Sequence, residues 1–398
     1  VNGQIVADEA RYVMQTYKRA PVEFVRGEGA LLFDDEGREY IDFLGGISVA
    51  SVGHCHPEVV AAIREQAGEL LHVSNLFYTG PMVELAKRLS ESSLGGKVFF
   101  CNSGTEANEC AIKIARKAAR ARGIENPEII SFEGDFHGRS YGSLSATPGL
   151  SQNPDFAPML PGFRSVPFDD ASALVAAVNQ NTAAILIEPI QGEAGVFPLS
   201  DETLLAARRA CDESGALLIF DEVQTGVGRT GSLWAYEQGP VRPDVITTAK
   251  ALGGGAAVGA CIGNAETGEI LTAGDHGSTF AAGPVAASAA LAVLDLVDDP
   301  AMLRRIRSLG DDLMSSLSEI DQVAEVRGRG LMIGVRLADG IPSGEVNAAL
   351  LEKGLVANAP RPDSLRLLPP FVLTDEQADR AAQVITEVLA GYHPVESK

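Results

Sequence analysis

The chain has 398 residues, 45% hydrophobic and 21% charged, a globular composition with length enough for one large core and a second, smaller domain. Lys+Arg 32 against Asp+Glu 53 leaves a net charge of -21, a field that repels phosphate backbones and anionic lipid, so neither nucleic acid nor a membrane is an expected partner. Any anionic substrate must be captured by individual arginines working against that field. Five cysteines (Cys55, Cys101, Cys110, Cys211, Cys261) contain no C-x-x-C pair and cannot all pair with one another, so a reducing cytoplasm is the expected compartment.

Along the chain, "VNGQIVADEARYVMQTYKRAP" carries acidic residues and no apolar core of the kind a secretory leader needs. "ALLFDDEGREYIDF" reads as a hairpin that joins either domain or a partner chain. His54-x-His56 precedes a helix start at Pro57 and is assigned turn and cap roles rather than metal ligation. "KVFF" then leads into "CNSGTEANE", where Ser103-x-x-Glu106 has capping-box spacing. The free first-turn N–H groups of that helix, with the Ser103 and Thr105 hydroxyls, suit a phosphate. The runs "EIISF", "AAILIEP", "ALLIFDE", "DVITTAK" and "GACIG" are continuously apolar and alternate with helical patterns, as in a mainly parallel sheet with both faces buried.

Ligands collect at the carboxyl ends of such strands. Asp221-Glu222 ends one run, and Lys250, 29 residues after Asp221, ends the next. No H-x-x-H or H-E-x-x-H lies near, so no metal is expected; the carboxylate suits a cationic ring nitrogen. A desolvated lysine has a lowered pKa and forms Schiff bases with aldehydes. A phosphate cradle, a carboxylate for a pyridine nitrogen and a Schiff-base amine are together what pyridoxal phosphate requires. A dinucleotide-binding reading needs G-x-G-x-x-G opening a helix after the first strand, which the chain does not offer. "AAGPVAASAALAVLDLV" is too short and alanine-rich to span a membrane and reads as a buried helix. Beyond it, "VAEVRGRGLMIGVRL", "GLVANA", "SLRLLPP" and a helix opening at Thr374-x-x-Gln377 suggest a smaller α+β domain.

Taken together, "SGTEAN", "DFHGRS", "EPIQGEAG", "FDEVQTGVGRTG", "AKALGGG" and "HGST" resemble the ω-amine subgroup (class III) of fold-type I, pyridoxal-phosphate-dependent aminotransferases. The likeness runs from "VRGEGALLFDDEGREYIDFLGGI" through "GHCHPEVV" and "SNLFYTGP" to "LRLLPP". It implies an α/β fold: an N-terminal segment, residues 1–50, packing with the small domain and a partner subunit; a large cofactor domain, 51–290, with a mainly parallel seven-stranded sheet; and a small α+β domain, 291–398. By the same resemblance, Lys250 joins the cofactor aldehyde and carries the proton, and Asp221 holds the ring nitrogen. Ser103, Gly104 and Thr105 hold the phosphate, Phe136 and Val223 cover the two ring faces, and Gln224 reaches the ring hydroxyl. Thr279 and Ser278 are contributed by the neighbouring subunit of a homodimer.

The resemblance also assigns the arginines. Arg139 binds the carboxylate far from the reacting amine, Arg366 binds the α-carboxylate of glutamate, and Glu193 pairs with Arg366 whenever that carboxylate is missing. The implied donor is N2-acetyl-L-ornithine and the acceptor 2-oxoglutarate, with N-succinyldiaminopimelate, ornithine and 4-aminobutyrate as alternative donors. Ile47 stands where enzymes acting on free ornithine carry a tyrosine, which favours an acylated donor. The chain departs from the family at Ala281, Ala282 and Gly283, where "GGN" is usual, at Ala256 and Ala257, where Leu or Phe and Pro are common, and at Gly80, where Glu is common.

Overall fold

In the computed structural model, which describes residues 2–393, the continuously apolar runs form one sheet whose strands are sandwiched between two cores. Its seven strands lie in the order Val98–Cys101, Gly259–Gly263, Val245–Thr248, Leu217–Asp221, Thr182–Ile187, Glu128–Phe132, Phe163–Val166. All are parallel except Gly259–Gly263, which runs against both neighbours. Successive residues point to opposite faces. Ile129, Leu186, Ile219, Val245 and Cys261 therefore enter the core beneath the helix Gly104–Ala121, while Ile130, Ile187, Phe220, Ile246 and Ile262 enter the other. An edge strand, Phe163–Val166, carries an exposed pattern and gave no apolar run to read.

The helix Gly104–Ala121 follows from its own spacing: Ala107, Cys110, Ala111, Ile114 and Ala115 form one buried stripe against the sheet. Ser103 is its N-cap, with Oγ accepting from the Glu106 N–H at 3.4 Å. The Glu106 carboxylate reaches back past the cap to accept from the Asn102 N–H at 2.8 Å and from Ser103 Oγ at 3.0 Å. At the far end of the chain the Thr374-x-x-Gln377 capping box forms in both directions and opens the helix Asp375–Leu389.

The hairpin Leu31–Asp34 and Glu39–Asp42 pairs through its second strand, in parallel, with Leu355–Val356, so the N-terminal segment joins the C-terminal region. A second four-stranded sheet, in the order Val323–Arg329, Met332–Leu337, Ser364–Leu367, Asn358–Arg361, lies in that region with the helices Pro300–Ser318 and Asp375–Leu389. His54 bonds Asp42 at 2.6 Å, and His56 is the residue before the helix Pro57–Glu69. No helix among the described residues is long and apolar enough to cross a membrane.

Arg229 holds the three regions together. Fully buried, it donates to Ser48 Oγ (2.9 Å) and Ser51 Oγ (2.7 Å) near the N-terminus and to the carbonyls of Leu331 (2.9 Å) and Pro369 (2.7 Å) from the C-terminal region. Its guanidinium also lies 4.6 Å from the Phe371 ring centroid. Arg229→Met leaves four buried acceptors without their donors, so the expected loss is about 3 kcal/mol or more. Urea unfolding of the cofactor-free protein measures it; a loss below about 1 kcal/mol, the range of an ordinary surface change, contradicts the role.

Candidate active site

Where the strands Leu217–Asp221 and Val245–Thr248 end side by side, a cavity of about 410 Å³ opens. Its wall gathers Ser103, Gly104, Thr105, Phe136, Arg139, Glu193, Asp221, Val223, Gln224 and Lys250, residues scattered between positions 103 and 250. Arg366 sits behind Glu193 and Gln224. Ser278 accepts from Asn102, itself on the cavity wall, at 3.0 Å, whereas Thr279 is exposed and outside the cavity lining. Ala256 and Ala257 are also on the wall, so this departure bears on the site; Ala281 and Ala282 are not.

Lys250 leaves its strand in a left-handed conformation, φ +39°, a cost that persists only where the surroundings enforce it. A single 3-10 turn, Lys250–Gly253, follows and is closed by Gly254 in the αL region. Among the described residues the Lys250 amine has no hydrogen-bond or ion-pair partner. Burial lowers its pKa, opposed chiefly by the charge of Glu193. The small residues around it thus serve an uncovered amine.

Asp221 is fixed from three sides. Its Oδ2 accepts from Asn108 Nδ2 at 2.7 Å and meets His137 Nδ1 at 2.8 Å, while Oδ1 accepts from the Val223 N–H at 3.0 Å. Asn108 is itself oriented by the His137 carbonyl (2.8 Å) and Thr247 Oγ1 (2.7 Å). Burial alone would lower the His137 pKa, but Asp135 and Asp221 outweigh it and push it up to about 10, so the ring is cationic. Glu222, the other half of the Asp-Glu pair, turns away and accepts from the Ala235 and Tyr236 N–H groups at 2.7 and 2.9 Å.

Sequence reasoning missed Glu188, His137 and Asn108. All three stand inside the quoted motifs "EPIQGEAG", "DFHGRS" and "SGTEAN" without a role, and their polarity downstream of an apolar run was the available signal. Glu188 accepts from the Phe136 N–H at 2.8 Å and from the Gly192 N–H at 3.2 Å, bridging two loops of the cavity wall. The Ser103 and Thr105 hydroxyls also differ from expectation. Glu106 takes Ser103 Oγ, and Thr105 Oγ1 is bonded to Ser140 Oγ and Ser143 Oγ at 2.7 and 2.6 Å. What the helix start offers an anion is the backbone N–H groups of Gly104 and Thr105, which have no carbonyl in their own helix to bond.

The two arginines differ in state. Arg139 is exposed at the rim, 5.7 Å from the Phe136 ring centroid, and has no carboxylate partner among the described residues. Arg366 is 1% exposed and forms a forked pair with Glu193, Nη1 to Oε1 at 2.6 Å and Nη2 to Oε2 at 3.4 Å. Asn358 Oδ1 accepts from its Nη2 at 2.9 Å, and its Nε is buried without a partner. Burial alone would raise the Glu193 pKa, but Arg366 outweighs it and holds the carboxyl below its usual range.

The family profile "Aminotransferase class-III" matches residues 12–389. The chain belongs to the class III aminotransferases. It is 44% identical over 391 residues to a protein of Caldanaerobacter subterraneus subsp. tengcongensis named acetylornithine aminotransferase, covering 97% of this chain and 99% of that one. A Methanocaldococcus jannaschii protein of the same name is 44% identical over 385 residues, 96% of each chain. Among solved structures, the N-acetylornithine aminotransferase of Stenotrophomonas maltophilia superposes with a TM-score of 0.84 at 35% identity, covering 97% of this chain and 98% of that one. The ornithine aminotransferase of Toxoplasma gondii gives 0.92 at 34%, covering 97% and 94%. Another structure of the T. gondii enzyme is described with pyridoxal phosphate at its active site.

This class III enzyme is pyridoxal-phosphate-dependent, and its residues fit the cofactor. A Cβ at Gly104 would meet Val223 Cγ1 at 2.6 Å and one at Gly138 would meet Thr105 Oγ1 at 2.2 Å, so both glycines let the chain close around the anion-binding turn. A buried acceptor, an unpartnered amine and an apolar wall complete what the group needs.

The pH dependence of folding reports the buried carboxyl. Burial, then the charges of Asp135 and Asp221, raise the Glu188 pKa to about 8. The folded value lies above the unfolded one, so its contribution is complete below about pH 4.5 and is lost as pH rises toward 8. In urea titrations of the cofactor-free protein, Glu188→Gln should therefore gain on wild type by up to about 1.4 kcal/mol per pH unit from pH 5 to 8. A pH-independent difference contradicts the assignment.

Proposed function

We infer that this enzyme moves the δ-amino group of N2-acetyl-L-ornithine to 2-oxoglutarate, giving N-acetyl-L-glutamate 5-semialdehyde and L-glutamate, a step of arginine biosynthesis. The observation that carries the reading is the unequal state of the two arginines: Arg139 open at the rim, Arg366 masked by Glu193. Acetylornithine brings one carboxylate, far from the amine that reacts, and Arg139 suits it. Nothing in that donor reaches Arg366, so Glu193 stays. Glutamate and 2-oxoglutarate bring a second carboxylate beside the reacting carbon, which takes Arg366 as Glu193 swings out. The relatives named for acetylornithine support the same donor.

Pyridoxal phosphate, when bound, supplies the aldehyde that accepts the amino group and a cationic ring that draws electrons from the bond being broken. Gly104 and Thr105 would hold its phosphate through their N–H groups, with Ser103 setting the turn. Phe136 and Val223 would cover the ring faces, Gln224 would reach the ring hydroxyl, and Asp221, oriented by Asn108 and His137, would hold the ring-nitrogen proton. Lys250 Nζ would take the proton from the carbon bearing the reacting amine and deliver it to the carbon on the other side of the nitrogen, that of the former aldehyde. Its pKa, lowered by burial, suits an amine that must be neutral to do so.

The working unit is proposed to be a homodimer in which Ser278 and Thr279 serve the partner's site. Their segment runs beside apolar side chains open to solvent in one chain, Leu76 (86%), Phe77 (65%), Tyr78 (96%) and Phe280 (71%), and Asn75 ties the two stretches by bonding the Ser278 carbonyl at 2.9 Å. The proposed compartment is the reducing cytoplasm, where the buried thiols Cys110 and Cys261, which share one core, stay reduced. Ile47, part of a left-handed turn that runs into the cavity residue Val49, offers free ornithine no hydroxyl and favours the acylated donor.

Half-reactions of the loaded enzyme, followed by loss of the lysine-linked cofactor absorbance, test the reading. Acetylornithine should react about tenfold or more faster than ornithine, succinylated diaminopimelate or 4-aminobutyrate. Preference for the succinylated amine would move the enzyme to lysine synthesis. Lys250→Ala, which cannot form that cofactor linkage, should lose about four orders of magnitude in turnover measured as L-glutamate formed from acetylornithine and 2-oxoglutarate. Glu193→Ala should impair acetylornithine more than glutamate; equal losses rule out the switch.

A further inference from the structure

The loop that carries Glu193 rests on one cross-strand row of the C-terminal sheet. In the register of that sheet, Arg327 pairs with Gly334, Gly334 with Arg366 and Arg366 with Asn358, one residue from each of four adjacent strands. Directly opposed residues share a face of the sheet, so the row presents two arginines separated by a glycine. Into that gap fits the backbone of Gly195. A Cβ at Gly334 would meet the Gly195 carbonyl oxygen at 2.5 Å and Val196 Cβ at 2.9 Å, so only glycine admits the loop.

Arg327 then grips what the gap admits. Its Nε and Nη2 donate to the Gly195 carbonyl at 3.1 and 2.8 Å, and Nε also reaches the Val196 carbonyl at 3.0 Å. Arg361 Nε donates to the Ala194 carbonyl at 3.2 Å. Three consecutive carbonyls after Glu193 are thus held by arginines of the C-terminal region. The backbone so held is strained: Gly195 has φ +117°, and Val196, a β-branched residue, has φ +63°. Such a conformation persists only when its surroundings over-determine it. On the other flank, Gly192 is fixed by Glu188 at 3.2 Å. The Glu193 side chain is by contrast 36% exposed and held through its fork to Arg366, in the same row.

We propose that Arg327 and Gly334 form a seat that fixes the Glu193 loop, and are positioning residues that set how strongly Glu193 competes with a substrate carboxylate for Arg366. The proposal rests on the Glu193/Arg366 switch described above and adds its anchoring. With the backbone immobile on both flanks, exchange needs only the side chain to turn. Loosening the seat weakens the Glu193–Arg366 pair from the loop side; Arg327, two strands away from Arg366, does so without contacting it. The two substrates then respond in opposite directions: the donor meets an Arg366 less well masked, while a dicarboxylate meets less competition, because the fraction of enzyme with Arg366 free rises.

The test measures the glutarate dissociation constant by calorimetry and the acetylornithine half-reaction rate, for wild type, Arg327→Met, Arg327→Lys and Gly334→Ala, each also in a Glu193→Ala background. The expected result for Arg327→Met and Gly334→Ala is a donor rate about tenfold lower with glutarate bound about threefold tighter. Both effects should disappear once Glu193 is alanine. Arg327→Lys, which keeps the charge but not the fork, should shift both quantities less in the same directions, and carries the test if Arg327→Met does not fold. Weaker glutarate binding in step with the donor loss, as general damage would give, overturns the proposal. So does persistence of the losses in the Glu193→Ala background, which would leave the switch itself standing. Equal effects of Glu193→Ala alone on both half-reactions would remove the switch and the seat with it.

Discussion

A buried guanidinium in a strongly acidic protein is the constraint around which this site is organised. Arg366 is 1% exposed, and removing the partner of such a charge costs about 3–5 kcal/mol. A substrate with a carboxylate beside the reacting carbon supplies that partner, and a substrate without one does not. Glu193 supplies it within the chain: its carboxylate forks onto Arg366 while its side chain stays part-exposed, the arrangement from which the proposed exchange starts. In the proposed function, specificity for two chemically unlike substrates comes from one exchangeable ion pair rather than two pockets. Arg139, open at the rim and without a carboxylate partner among the described residues, is the proposed point of attachment for either.

The remainder of the site supplies rigidity. Asp221 has its orientation set by Asn108, His137 and its own backbone, and His137 is in turn held between Asp135 and Asp221. Glu188 ties the Phe136 loop to the Glu193 loop. Backbone strain concentrates at the same places, with positive φ at Lys250 and Val196 and a left-handed turn through Gly45, Gly46, Ile47 and Ser48. Arg229 bonds Ser48 in that turn and the carbonyls of Leu331 and Pro369, so the strained segment and the sheet that seats the Glu193 loop share one buried anchor.

Much of this was legible in the sequence, for physical reasons. Strands buried on both faces must be apolar at every position, which exposed the central sheet, and the rule that ligands gather at strand ends singled out Asp221 and Lys250 before any contact was known. The edge strand Phe163–Val166 escaped because one exposed edge needs no such run. The hydroxyls of Ser103 and Thr105 were expected on a phosphate but are consumed by Glu106, Ser140 and Ser143, two of them on a distant loop. The masking of Arg366 by Glu193 was expected from the resemblance carried by "EPIQGEAG" and "LRLLPP", whereas the seat made by Arg327 and Gly334 leaves no local pattern, since it depends on cross-strand register between segments far apart in the chain.

The most direct measurement is a crystal structure of the loaded enzyme soaked with glutarate, compared with one soaked with N2-acetyl-L-ornithine in the absence of acceptor. An exchangeable Glu193–Arg366 pair requires the dicarboxylate on both Arg139 and Arg366 with Glu193 turned into solvent, and the intact fork when acetylornithine is bound. Glutarate bound with the fork still closed would contradict it.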